Sequence, residues 1–220
     1  MNVLDHGVVE LIDHMGNDNT IVNAARVSYL GNSKGEDSDR KLIRYLLENS
    51  HSSPFEQVEF QFIVKCPIIV VRQWHRHRTW SYNEVSRRYT SEDISFHIPF
   101  SLRKQSEKNR QSSYNSLDED FEKKTWDYIE EIKSHAASDY NLYMRMIESG
   151  VAREQARMVL PQNMYTSYYA KTDLHNLFHF IKLRNSDHAQ YEIKVYAEAI
   201  EKLIQPIVPV AFEEWKKLNP

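Results

Sequence analysis

Between Arg72 and Tyr89 the chain reads RQWHRHRTWSYNEVSRRY, and this stretch holds five arginines: Arg72, Arg76, Arg78, Arg87 and Arg88. Two histidines, two serines and four aromatic residues stand among them. A guanidinium keeps its proton in any protein, and a charge withheld from water without a counter-ion is costly. Glu84 is the only acid in the run, so the arginines cannot neutralise one another's surroundings as a salt-bridged helix face would. They require an anion from outside. Arginine forks match phosphate oxygens, and arginine planes and aromatic faces stack on flat rings. The fitting ligands carry phosphate and a heteroaromatic ring together: a nucleotide, a flavin, or a base in single-stranded nucleic acid.

Other residues invite a chemical role and are weaker candidates. Ser86 closes the run, but a serine attacks only with a positioned base. His77 is the nearest base, and the arginines crowding it oppose its protonation. Cys66 lies between an alternating apolar segment and Pro67, with Lys65 as its nearby cation, the setting of an inert core thiol. His75 and His77 form an H-x-H pair, yet zinc favours cysteines or a supporting carboxylate and dense positive charge repels it, so no metal is expected. Arg184 follows an apolar-patterned segment, where a cation complements a helix C-terminus.

These groups need a scaffold. Val58, Phe60, Phe62 and Val64 alternate with polar residues and predict a strand; Val8–Ile12 and Met164–Tyr169 predict two more. Asp18 is placed to cap a helix through Val27, and Ser38 to cap one carrying Leu42, Ile43, Leu46 and Leu47. Pro67 opens an apolar segment through Trp74 that suits helix or strand. Thr90–Ser113 is polar and irregular, with FSLRKQSEKNRQSS as the expected mobile loop. Ser116-Leu117-Asp118-Glu119 has the form of a capping box, and Phe121, Tyr128, Ile132, Ala136, Tyr140, Tyr143 and Ile147 then repeat at helical spacing. Arg153–Val159 predicts a short helix, Asp173 the cap of one through Leu183, and Ala189–Leu203 another. The chain is mixed α/β, most of its helix lies in the second half, and no linker divides residues 1–220, which are expected to form one domain.

The net charge of −3 argues against a dedicated nucleic-acid surface and for a local anion site. A single-stranded nucleic-acid binding module using the arginine and aromatic patch is the alternative from another class; it predicts steep salt dependence. A single cysteine excludes an intrachain disulfide. The longest apolar stretch, Pro67–Val71, is too short for a bilayer, and the N-terminal residues lack the order of a signal peptide, so a cytoplasmic protein without membrane contact is expected. Neither a G-x-G-x-x-G nor a P-loop motif occurs.

Arg76-His77-Arg78, seven residues and then Ser86 resembles the RHR-x7-S signature of the flavin-dependent thymidylate synthases. Further blocks follow that family's order: Ala24-Ala25-Arg26-Val27-Ser28, His51-Ser52-Ser53-Pro54, Arg72-Gln73-Trp74, Ser81-Tyr82-Asn83-Glu84, Arg157-Met158-Val159-Leu160-Pro161, and Leu183-Arg184 with Asp187-His188-Ala189-Gln190. The resemblance implies a methyltransferase of dTMP biosynthesis: dUMP is methylated with 5,10-methylenetetrahydrofolate as carbon donor and with FAD, reduced by NADPH, as hydride source. It implies an α+β fold, with a mixed, largely antiparallel sheet flanked by helices, and a homotetramer whose subunits share each site. It places Arg76, His77, Arg78, Ser53 and Glu84 at the flavin. Asp173, His175 and His179 fall where the family often has Asn or Arg for FAD, and His51 is expected at flavin or folate. Around the nucleotide it places Gln73, Trp74, His75, Arg76, Glu84, Val85, Ser86, Arg87, Arg88 and Arg157, partly through backbone amides. Arg87 stands where the family commonly has a small residue. Arg184 is expected at the uracil edge as the catalytic cation, because a fixed charge hydrogen-bonded to the ring stabilises negative charge building on it.

Overall fold

The computed structural model describes residues 1–31, 33 and 35–219. In chain order it contains β1 (Asn2–Val3), β2 (Gly7–Met15), α1 (Asp18–Arg26), α2 (Glu36–Glu48), β3 (Glu59–Pro67), α3 (Ile68–Trp74) and β4 (Ser81–Glu84). There follow β5 (Lys104–Gln105), β6 (Ser113–Tyr114), α4 (Glu119–Glu148), α5 (Arg153–Ala156), β7 (Tyr165–Asp173), α6 (Leu174–Arg184), α7 (Tyr191–Ile204) and α8 (Pro209–Leu218). The main sheet has the order β1-β2-β3-β7-β4, and each of its pairings is antiparallel.

Period-two patterning produces the centre of this sheet. Phe60, Phe62, Val64 and Cys66 of β3 are fully buried, and Tyr168 and Ala170, opposite Val64 and Phe62 on β7, are buried with them. Helices cover that face. Trp74 of α3 packs 4.7 Å from Phe180 of α6, and Phe178 of α6 stacks 4.7 Å from Trp215 of α8. β3 passes directly into α3 at Pro67, which lacks the N–H that a helix start would leave unpaired. That settles the Pro67–Trp74 segment as helix.

Several local expectations shift. Asn17, not Asp18, caps α1, with Thr20 completing the box. The Asp18 carboxylate instead accepts from the N–H groups of Val210 and Ala211, both at 2.9 Å, and so caps α8, a helix not anticipated from sequence. Gly35 opens α2, and Ser38 lies inside it. Asp118, in place of Ser116, caps α4. β2 and β7 run on to Met15 and Asp173. The 100–113 segment is not an unattached loop: β5 pairs with β6, and Arg103 grips Glu192 of α7 at 2.7 and 2.9 Å. Among the described residues no helix is long and apolar enough to cross a membrane.

Asp18→Ala removes the acceptor for two N–H groups at the α8 N-terminus. It is expected to lower unfolding free energy by about 1 kcal/mol in a denaturant titration; an unchanged midpoint would show that this cap contributes nothing.

Candidate active site

The arginine run occupies the end of α3, the turn from His75 to Trp80, and β4, the outer strand of the sheet. Two indoles pin this crossing to the core. Trp74 is 0% exposed and Trp80 5%, with their rings edge-on at 5.7 Å. The Tyr82 hydroxyl reaches the carbonyls of Trp74 at 3.2 Å and His77 at 3.1 Å and closes the turn. Trp74 is therefore a core anchor, not a ring presented to a ligand. Burying so large an aromatic surface outweighs its use at the rim. His75 is half-buried, its ring 4.2 Å from that of Tyr82.

With the indoles inward, the arginines face outward. Arg72, Arg76 and Arg78 are exposed and, among the described residues, have no hydrogen-bond or ion-pair partner for their side chains. Arg88 is also exposed and meets Glu154 of α5 at 3.6 Å. Arg157 is exposed and lies in the turn directly after α5, so the same short element that meets Arg88 also carries it. Arg87 is the exception. Its guanidinium is turned inward onto the carbonyls of Glu92 and Asp93, at 2.5 and 3.2 Å, and burial pulls its pKa down. Its side chain staples the loop after β4 and points away from the surface that Arg76 and Arg88 occupy, so Arg87 offers a ligand its backbone only. Ser86 Oγ accepts from the Arg88 N–H at 3.2 Å, and the exposed Val85 donates its N–H to the Ser167 carbonyl at 2.9 Å. Glu84 accepts from the Thr166 hydroxyl at 2.9 Å, which holds an otherwise exposed carboxylate in place.

Arg184 ends α6, but its guanidinium does not turn back onto its own helix. Nε donates to His77 Nε2 at 3.0 Å, and Nη2 donates to the Gln73 carbonyl at 3.2 Å. His77 is buried, and its pKa falls to about 4 through burial first, then through the charges of Arg184 and His179. The flanking Arg76 and Arg78, expected to crowd the imidazole, are not the cause. A neutral ring accepting at Nε2 must carry its proton on Nδ1. Burial lowers the Arg184 pKa as well, yet a guanidinium stays charged.

Beside this contact lies a cleft of about 460 Å³. His51, Ser52, His175, His179 and Lys182 stand in its polar lining with Ser50, Asn219 and Glu48, whose carboxylate is paired with Arg44 at 2.8 Å, and Leu46, Phe55, Phe178 and Trp215 form its apolar walls. His179 connects it to the arginine run, 5.8 Å from the His77 ring. Two expected residues stand apart from the lining. Asp173 caps α6, accepting from the Asn176 N–H and Nδ2 at 2.9 and 2.6 Å, and Ser53 is exposed beside Ser52. Lys182 was not anticipated, although the 175, 179, 182 spacing marks one helix face. Cys66 is buried against the Tyr168 hydroxyl at 3.5 Å, and burial pushes its thiol far up. It is no nucleophile.

Unpaired guanidinium groups beside an imidazole-lined cleft, on an antiparallel sheet flanked by helices, define a binding protein for phosphorylated heteroaromatic ligands. Residues 10–210 match the family described as thymidylate synthase complementing protein. A flavin-dependent thymidylate synthase of Thermus thermophilus is 47% identical over 215 residues, spanning 98% of this chain and 77% of that protein. The enzyme of the same description from Thermosipho africanus is 42% identical over 215 residues, spanning 98% and 93%. The crystal structure of a UMP/dUMP methylase, PolB from Streptomyces cacaoi, bound with 5-Br dUMP, is similar at a TM-score of 0.87 and 33% identity, covering 99% of this chain and 97% of that one. The chain belongs to the family of flavin-dependent thymidylate synthases, and its α+β fold is the one the signature implied.

The His77 environment predicts a titration. Its depressed pKa means that the unfolded chain takes up a proton on this ring near its ordinary value while the folded one does not until about pH 4. The stability from the neutral ring is whole above the ordinary histidine pKa and is lost as pH falls from there towards the folded value. In ¹⁵N-edited NMR, His77 is expected to remain an Nδ1–H tautomer at a pH where exposed histidines are protonated. A His77 titrating with them would contradict the Arg184 contact.

Proposed function

We propose that the chain converts dUMP to dTMP, taking the carbon from 5,10-methylenetetrahydrofolate and the reducing equivalents from NADPH by way of FAD. The observation that carries this reading is that Arg72, Arg76 and Arg78, exposed and without counter-ions among the described residues, flank His77, which holds Arg184. Phosphate is the natural partner of that set. Relatives named as thymidylate synthases over nearly the whole chain leave the single-stranded nucleic-acid alternative without support.

The cleft suits FAD. At about 460 Å³ it lies in the range of small-molecule sites, ~300–1,000 Å³. Its apolar walls fit a flat ring, and its imidazole and ammonium donors fit polar ring edges and a pyrophosphate. His51, His175, His179 and Lys182 would hold the group, with Arg76, Arg78 and Glu84 at its border. FAD, when bound, supplies the hydride that completes the methyl group. Arg76, Arg88, Arg157 and the backbone around Val85 and Ser86 would bind the nucleotide, with Gln73 and Arg184 at its base. The bonds to His77 and Gln73 fix the plane of the Arg184 guanidinium, and its remaining N–H groups have no partner among the described residues. A charge-assisted hydrogen bond from it to the uracil ring would stabilise the charge that builds on activation by roughly 1.5–3 kcal/mol. No thiol is required.

The working unit is inferred to be a homotetramer of single-domain subunits in the cytoplasm. α4 exposes Trp126 at 57% and Tyr128 at 47%, and the turn after α5 exposes Met158 at 74%, apolar surface that a second copy of the chain would cover.

Arg184→Ala is expected to keep the yellow colour of bound FAD and to lose about 10–100-fold in methylation rate. Flavin content by absorbance and dTMP formation by chromatography measure the two separately. Unchanged turnover would remove Arg184 from catalysis; a wild-type protein that takes up no FAD would remove the reading itself.

A further inference from the structure

A chain of polar side chains joins the nucleotide wall to the hairpin before α4, and the proposed reaction gives it no role. It starts at Arg103, at the foot of β5. Nη2 donates to both carboxylate oxygens of Glu192 at 2.7 and 2.9 Å, Nε donates to Ser113 Oγ at 3.0 Å, and the guanidinium lies 5.0 Å over the Tyr191 ring. Glu192 sits in the first turn of α7 and is 6% exposed. Its Oε2 also accepts from Gln190 Nε2 at 2.7 Å. Gln190 Oε1 in turn accepts from Gln73 Nε2. The main-chain carbonyl of Gln73 is the one that holds Arg184.

The direction of these bonds is forced by chemistry. A guanidinium only donates, and an ionised carboxylate only accepts. Burial works to raise the Glu192 pKa, but the bonds from Arg103 and Gln190 and the Arg103 charge outweigh it and hold the carboxyl below the usual range. The first turn of a helix also favours the anion. Gln190 must then turn its NH₂ towards Glu192 and its oxygen towards Gln73. Gln73 must turn its own NH₂ towards Gln190, which leaves its Oε1 as an acceptor. A glutamine held by nothing could present either end of its amide; here a charge pair, acting two side chains away, sets which end faces a ligand.

We infer that Arg103 and Glu192 are positioning residues for nucleotide binding: through Gln190 they lock the Gln73 carboxamide with its oxygen presented, so that Gln73 selects a hydrogen-bond donor on the nucleotide. The inference rests on the dUMP site proposed above. It ties the hairpin that leads into α4 to the wall of the active site through four side chains, without any contact between the hairpin and the reacting atoms.

Two variants test it without depending on one buried ion pair. Gln190→Met cuts the middle of the ladder and leaves the Arg103–Glu192 pair intact. Glu192→Gln keeps the shape and reverses the order of donors. Each is expected to raise KM for dUMP about tenfold, the worth of one well-made hydrogen bond, with kcat and FAD content little changed. Arg103→Met should behave alike, and Arg103→Lys, which keeps the charge but loses the Nε bond to Ser113 and the stack on Tyr191, should recover only part of the loss in KM. KM for dUMP unchanged in both Gln190→Met and Glu192→Gln, or losses shared equally by KM, kcat and flavin content, would overturn the inference. If the wild-type protein forms no dTMP, the proposed reaction fails by itself, and calorimetric dUMP affinity decides the ladder: equal Kd for wild type and Gln190→Met, or no dUMP binding at all, rejects it.

Discussion

A guanidinium cannot discharge itself, and much of this structure follows from where each one finds its partner. The chain answers differently for different arginines. Arg87 is buried and donates to two backbone carbonyls, Arg103 donates to the Glu192 carboxylate, and Arg184 donates to an imidazole nitrogen and a helix-end carbonyl. Arg72, Arg76 and Arg78 are left at the surface without an acid among the described residues. The paired set fixes geometry, and the exposed set is the one proposed to meet the nucleotide. Guanidinium groups held by bonds within the chain contribute rigidity, while exposed ones retain the affinity for phosphate that pairing would have consumed.

The fold serves this division. An alternating strand runs without a break into a short helix, and two indoles nail the helix and the following turn to the core. Arg76 and Arg78, between the indoles in sequence, are thereby left exposed while His77 between them is buried. α6 delivers Arg184 to the same place from the other side, and its outer face offers His175, His179 and Lys182 to the adjoining cleft. The reactive-looking members of the run become supports: His77 orients Arg184, and Ser86 accepts from a backbone N–H.

Sequence patterning disclosed those parts whose cause is local. The β3 alternation, the α6 cap at Asp173 and the inert setting of Cys66 all follow from neighbouring residues and reappear in the structure. The excess of unpaired arginine was equally legible, since it needs only a count of acids. What stayed hidden depends on contacts far apart in the chain. Asp18 looks like the cap of its own helix and instead caps α8, because Asn17 takes the nearer role. Trp74 sits among arginines in sequence and beside Phe180 in space. Arg87 cannot be told from Arg88 until the loop after β4 is seen to fold over it. The polar 100–113 segment looks free until Glu192, some ninety residues later, closes on Arg103.

The proposed function turns on one site that would bring a flavin and a pyrimidine nucleotide together. The most direct measurement of it is an anaerobic one on the wild-type protein loaded with FAD. NADPH should bleach the visible flavin band, and addition of dUMP with methylenetetrahydrofolate should restore it with one dTMP formed for each flavin reoxidised. A bleached flavin that stays bleached, or recovers its colour with no dTMP, would contradict the shared site.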